Sequence, residues 1–371
     1  DAENNMHLVG GALAAGGLAV AGTFTVGLSE NNTRAAIEGV NGQQSTIDAD
    51  DVSVIAQSDT AITDVAISGS GAGGFAVAGM AAVNIITNQT EAVVQRTNLG
   101  TSANRINTLT VKASDSIKID SKAGALAGGS SGVGAGAAVN IVKSGVSSLI
   151  DDSTVYATGP VTVLSISEKV LSTIAAAGGV GGTAGIGGAA VVNLLGAEMD
   201  ADTKGEVDKG GSGTLSKVDD FASSSKTGDQ LDSIGEDDLS VAERNAAEAS
   251  ASGSVKNITT IFKTSAEITG ENTVVDAGSV SVKAEDKTKV ESSVGGLGIG
   301  SLGVGGAVAY TSVKNNVVAS IESSVDVNAA TVSVQALAGK SDITLANSAP
   351  FKVDLINNPS GVNCQDVICS Q

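Results

Sequence analysis

Few side chains in this 371-residue sequence are of the types that do chemistry, and their spacing limits what they can do. The two cysteines, Cys364 and Cys369, stand in Asn-Cys-Gln-Asp-Val-Ile-Cys, far from the single histidine, His7. Two thiols alone do not supply the four ligands of a zinc site. A small disulfide loop formed in an oxidising compartment, contributing about 2 kcal/mol, fits their spacing, and two free thiols are the alternative. Carboxylates gather at Asp219, Asp220, Glu236, Asp237 and Asp238. Their spacing is not that of an EF-hand or another calcium loop, so no metal and no cofactor is expected. Enzymes that cleave polysaccharide set paired carboxylates beside aromatic sugar platforms. With Tyr156 and Tyr310 the only tyrosines and no tryptophan, the chain reads as non-enzymatic. Asn31-Asn32-Thr33, Asn88-Gln-Thr90 and Asn257-Ile-Thr259 match the glycosylation pattern, at a frequency close to chance in an Asn- and Thr-rich repeat.

The composition excludes further classes. Forty Asp plus Glu against 21 Lys plus Arg give a net charge of -19, which repels phosphate backbones and anionic lipid, so nucleic acid is not an expected partner. Forty-eight glycines, five phenylalanines and no tryptophan leave Val, Ile, Leu and Ala to build the core. Ile174 to Ala197 is long enough to cross a bilayer, but it is mostly Gly and Ala around Asn193, and no membrane span is expected. The opening Asp-Ala-Glu-Asn-Asn is not a secretory signal, which leaves a removed leader or an excised piece.

The elements that position these residues repeat. Val52-Ser-Val-Ile-Ala56 recurs at Leu109, Val161, Val280 and Val332, and a block of small residues typified by Ser131-Gly-Val-Gly-Ala-Gly-Ala-Ala-Val-Asn140 recurs with it. The small-residue block aligns Gly27, Asn84, Asn140, Asn193 and Thr311, and eight residues on it aligns Ala35, Ala92, Ser148, Ala201 and Ala319. Both landmarks show one doubled gap. A unit of about 55 residues therefore runs five times, with an insertion after Ala201. Apolar residues alternate at period two, and Gly-Gly pairs such as Gly73-Gly74 mark corners. The pattern predicts an all-β fold, a parallel β-helix or β-solenoid of about five 55-residue units. Short strands of four to six residues would give about three coils of roughly 18 residues per unit, some fifteen in all, and a rod on the order of 70 Å. On that spacing Asn84, Asn140 and Asn193 lie three coils apart and cap corners instead of touching.

Gly132, Gly134 and Gly136 share one strand face, which requires a close neighbour: the opposite wall of the same coil, or the glycine face of a second rod in a lateral bundle. The chain divides into β-solenoid units at 1–201, an acidic Ser-rich insertion at 202–256, solenoid units at 257–346 and a tail at 347–371. The insertion is expected to carry a short helix capped at Asp238 or Ser240 and to place recognition at its acidic cluster. Leu8 to Gly17 aligns with Val65 to Gly74, and Ile343 to Leu345 reaches the position of Val65. Copies stacked head to tail would continue the repeat in phase, so self-association into a filament is expected, through edges that lack a cap.

The unit Val-x-Val-x-Ala, Gly-Gly, Gly-x-Gly-Ala-x-Val-Asn, as in Val111 to Asn140 and Val161 to Asn193, resembles the repeats of large bacterial surface and secreted adhesins of the filamentous haemagglutinin and leukotoxin type. The resemblance implies a right-handed parallel β-helix, exported across a bacterial envelope and placed outside the cell or on its surface, serving as stalk or adhesin toward a host or cell-surface ligand. The expected function is a structural or adhesive rod. A stalk fragment of a giant secreted adhesin and a membrane-active toxin segment are the alternatives.

Overall fold

Alternation of side chains at period two, sustained for twenty residues at a time, commits the backbone to long strands, because each apolar residue then reaches the same interior face. A computed structural model describes residues 2–39, 44–196, 262–322, 324–339 and 342–347, and every element among them is a β-strand. The chain divides into two units, Asp1–Ala197 with Phe262–Gln371, and Glu198–Ile261; the second lies outside the described residues, as does the helix expected there.

The first repeat holds β1 (Ala2–Gly16), β2 (Ala19–Glu38) and the short β3 (Ser45–Ile47). The second holds β4 (Asp51–Ala72), β5 (Phe75–Gln95) and β6 (Thr97–Leu99), and the third β7 (Thr108–Asp151), which continues through its Gly128-Gly129 corner, and β8 (Thr154–Tyr156). The fourth holds β9 (Pro160–Leu195) and β10 (Thr264–Thr269), the fifth β11 (Val274–Ile299), β12 (Leu302–Val313) and β13 (Val317–Ile321), and the sixth β14 (Asp326–Ala338) and β15 (Asp342–Asn347). All belong to one sheet, and every pairing is parallel.

Register corrects the expected coil length. Asp51 pairs with Thr108, Leu109 with Val161, Val161 with Val280 and Val280 with Val332. Each whole repeat is thus one layer and its neighbour in the stack is the next repeat, where short strands had implied three coils per repeat. Gly and Ala inside a strand did not end it, because partners above and below hold the backbone extended. Six layers at the usual strand spacing stack over about 24 Å, not 70 Å. A one-residue slip is also corrected: β1 pairs Leu8 with Asp64 and Val9 with Val65, so Leu8 faces inward where the alignment with Val65 would have faced it out.

Each layer has a front wall, running toward the glycine corner, and a back wall returning from it. The corners stack by hydrogen bonds, with Gly73 N–H donating to Gly16 O, Gly74 N–H to Gly17 O and Ser131 N–H to Gly74 O. At the far corner the aligned residues Arg96, Asp152 and Gly270 all take positive φ, 49°, 46° and 98°. Between the corners the interior is banded. Valine and isoleucine, including Val54, Val111, Ile150, Val163 and Val282, fill the far end. Ile62, Ile86, Ile119, Leu171 and Val290 fill the middle, and alanines such as Ala78, Ala125, Ala138 and Ala177 fill the part nearest the glycine corner.

The interior narrows with side-chain size until backbone meets backbone. A Cβ added at Gly132 would lie 2.5 Å from Val180 O and 2.6 Å from Ala127 O, whereas one at Gly136 would lie 3.4 Å from Ala176 O. The glycine face is therefore filled by the chain's own opposite wall, and lateral bundling through these glycines is not how it is used. Gly132→Ala is expected to destabilise by about 2 kcal/mol through overpacking, and Gly136→Ala to change stability by less than about 1 kcal/mol, read from thermal unfolding.

The register shifts slightly at the glycine corner, as between Gly129 and Ser131, and breaks widely on the back wall. Val142 pairs with Leu195 and Val146 with Thr264, so three residues of the third layer stand opposite the whole segment between Leu195 and Thr264. Ala266, paired with Ser148 and Ala319, holds the position that sequence alignment gave to Ala201.

Candidate functional site

Two buried polar rows cross the apolar interior, and they contain most of the chemistry among the described residues. The first is built on Asn84, Asn140 and Asn193, each within a strand on the back wall and each fully buried. They do not cap corners. With one layer per repeat they are direct neighbours: Asn84 Nδ2 donates to Asn140 Oδ1 at 3.0 Å, Asn140 Nδ2 to Asn193 Oδ1 at 2.8 Å, and Asn193 Nδ2 to Ser292 Oγ at 2.8 Å. The front wall supplies hydroxyls to the same row, since Asn140 Nδ2 also donates to Thr173 Oγ1 at 2.8 Å. Asn amides carry both donor and acceptor, so a parallel in-register stack satisfies each from the next.

On the back wall the second row lies four residues nearer the far corner. Asn31 Nδ2 donates to Thr60 Oγ1 and Asn88 Oδ1, Asn88 Nδ2 to Thr60 Oγ1 and to Asp115 Oδ1 at 2.9 Å, and Ser144 Oγ to Asp115 Oδ2. Two of the three glycosylation patterns thus fall on inward, hydrogen-bonded asparagines, while Asn257 lies outside the described residues. Burial pushes the Asp115 carboxyl above its usual range, against the opposing pull of Ser144, Asn88 and the Lys169 charge. Lys169 Nζ meets Asp286 Oδ2 at 2.7 Å, with side chains 6% and 3% exposed, and Asp286 also accepts from Thr264 and Thr288. This pair sits where the back wall is interrupted, beneath a small hollow of about 10 Å³ lined in part by Ser144, Phe262, Lys263, Lys314 and Asn315. Lys143 stands 5.9 Å from the Phe262 ring centre.

The outer faces near the glycine corner are apolar. One front-wall column reads Leu13, Gly69, Leu126, Gly178, Leu297 through successive layers, and Leu13, Leu126 and Leu297 are 89%, 59% and 56% exposed. The adjoining column reads Gly11, Ile67, Gly124, Ala176, Gly295. An open apolar groove of about 560 Å³ runs between Leu13 and Leu126 across Gly69, Gly71 and Gly128. The back wall carries exposed Val20, Phe24, Leu28, Val304 and Val308.

Of the residues singled out by sequence, Asn84, Asn140 and Asn193 are brought together. Asp219, Asp220, Glu236, Asp237, Asp238, Cys364 and Cys369 lie outside the described residues, as do the tail from 348 on and Ala201. Among the described residues no three His, Cys, Asp or Glu side chains gather, and no helix is long and apolar enough to cross a membrane. The inward Asp64, Asp115, Lys169 and Asp286 were missed, although strand parity carries the signal. Counting by twos from Val52, Leu109, Val161 and Val280 lands on each of them.

No protein-family model, curated protein or solved structure matches the chain.

Proposed function

We propose that this chain is a β-solenoid whose work is mechanical: a non-enzymatic extracellular rod or adhesin segment that associates with copies of itself, with a host or cell-surface ligand as its target. The observation that carries the reading is the pair of open sheet edges. Among the described residues β1 and β2 pair on one side only, with β4 and β5, and β14 and β15 pair only with β11. Through the columns, Asp342–Asn347 occupies the place of Asn5–Gly10. Unpaired strand edges template the addition of further strands, so a second copy can add to the stack at either edge. The exposed apolar columns supply a second, lateral surface, and contiguous apolar patches of this kind mark interaction sites. The resemblance to filamentous adhesin repeats supports an exported location.

The same edges fit a stalk segment whose continuation lies on a longer chain. Negative-stain images and sedimentation of the isolated chain over a hundredfold concentration range decide between them. Filaments or laterally joined particles that grow with concentration are expected for the self-associating subunit. A single monomeric species throughout would overturn it in favour of the stalk.

A further inference from the structure

The asparagine ladder has a direction, and its first member is left without a donor. Every amide nitrogen points toward the later layers, from Asn84 to Asn140 to Asn193 to Ser292. Asn84 Oδ1 accordingly has no hydrogen-bond partner. The preceding position in its column is Gly27, which has no side chain to offer, and a Cβ there would lie 2.6 Å from that oxygen. Asp64 faces it from the front wall. Asp64 is fully buried, and neither of its carboxyl oxygens has a partner.

Later layers show what this front-wall column must provide. It reads Leu8, Asp64, Ser121, Thr173, Ser292. Thr173 Oγ1 accepts from Asn140 Nδ2 and donates to Asn193 Oδ1 at 3.2 Å, so a hydroxyl both gives and takes. An ionised carboxylate can only accept, whereas a neutral carboxylic acid carries one O–H. Thr25 Oγ1, also buried without a partner, can donate to one carboxylate oxygen, but it leaves the other carboxylate oxygen and Asn84 Oδ1 as two facing acceptors; one proton between them pairs both.

We infer that Asp64 and Asn84 form a buried proton-binding site, in which Asp64 takes one proton from solvent on folding and donates it to Asn84 Oδ1, closing the ladder. The side chains around it carry no charge: Ile62 and Ala66 on its own strand, Leu8 and Ser121 in its column, and Thr25 and Asn84 opposite. The next inward charge is Asp115, about 20 Å along the wall by strand rise. His7, Asp120 and Lys122 alternate with these inward residues and lie on the outer face. Burial raises the carboxyl's pKa, outweighing the opposing pull of Thr25 and Asn84. A group whose folded pKa is raised stabilises fully below its unfolded value near 4, and that stability is lost as pH rises through the folded value.

The test compares wild type with Asp64→Asn, which offers an amide N–H in place of the acid, and with Asp64→Thr, which copies Thr173. Above the unfolded value near 4 the wild type should release more protons on unfolding than either variant, its infrared spectrum should retain one protonated-carboxyl C=O band that they lack, and only its stability should fall through this group as pH rises. Sodium, potassium, calcium or magnesium chloride at matched ionic strength should change none of this. An equal proton count with no such band would overturn the assignment, as would a carboxylate signal with cation-dependent stability, which would make the site a metal site. Should Asp64→Asn fail to fold, Asp64→Thr and the wild-type band carry the comparison.

Discussion

Lys169→Met should cost about 3–5 kcal/mol of unfolding free energy, the usual penalty for stripping one partner from a buried ion pair. The substitution leaves Asp286 buried at the interrupted layer with only the Thr264 and Thr288 hydroxyls for company. It also takes from Ser167 the ammonium that donates to its hydroxyl, and removes the positive charge that favours ionised Asp115. Because the loss comes from an unpaired carboxylate and not from lost packing, the double variant Lys169→Met, Asp286→Leu should recover most of it. Urea unfolding of the two variants and the wild type checks both statements, and a single variant within about 1 kcal/mol of wild type would refute the buried pair.

Asn140→Leu is the second large effect expected. The side chain gives Nδ2 to Thr173 and Asn193 and takes the Asn84 amide on Oδ1, so its removal deletes three buried hydrogen bonds at once. At about 1 kcal/mol net for each, with the stranded Asn84 donor adding desolvation, the loss should reach about 3–4 kcal/mol. The same change at a corner, where water can replace lost partners, would cost less than about 1 kcal/mol, so thermal unfolding of this variant separates an interior ladder from a cap.

The fold class was legible because period-two alternation and repeated landmarks survive in the sequence without any partner: Val52-Ser-Val54, Leu109-Thr-Val111 and Val161-Thr-Val163 do stack on one another. The length of one layer was not. Gly128, Gly132 and Gly134 look like breaks in a linear reading, yet β7 runs through all of them because hydrogen bonds to β4, β5 and β9 hold it extended. That one misjudgement also sent Asn84, Asn140 and Asn193 to corners, since three coils would have parted them. The polar rows were hidden for a different reason. Lys169 in Ser-Glu-Lys-Val reads as an ordinary solvated charge, and only the parity of its strand, counted from Val161, turns it inward. The insertion's start was misread because Ala201 repeats a landmark that Ala266 supplies in the structure.

The claim on which the ladder, the ion pair and the open edges all rest is that consecutive repeats are consecutive layers. Thr110 and Thr162 are register partners on the outer face of the front wall. Changed together to cysteine in a chain whose Cys364 and Cys369 are serine, they should be joined rapidly by a short bis-thiosulfonate, because adjacent strands lie about 4.8 Å apart. Were three coils packed into each repeat, the same positions would lie about 14 Å apart and the reagent would leave both thiols unlinked, which would contradict the account.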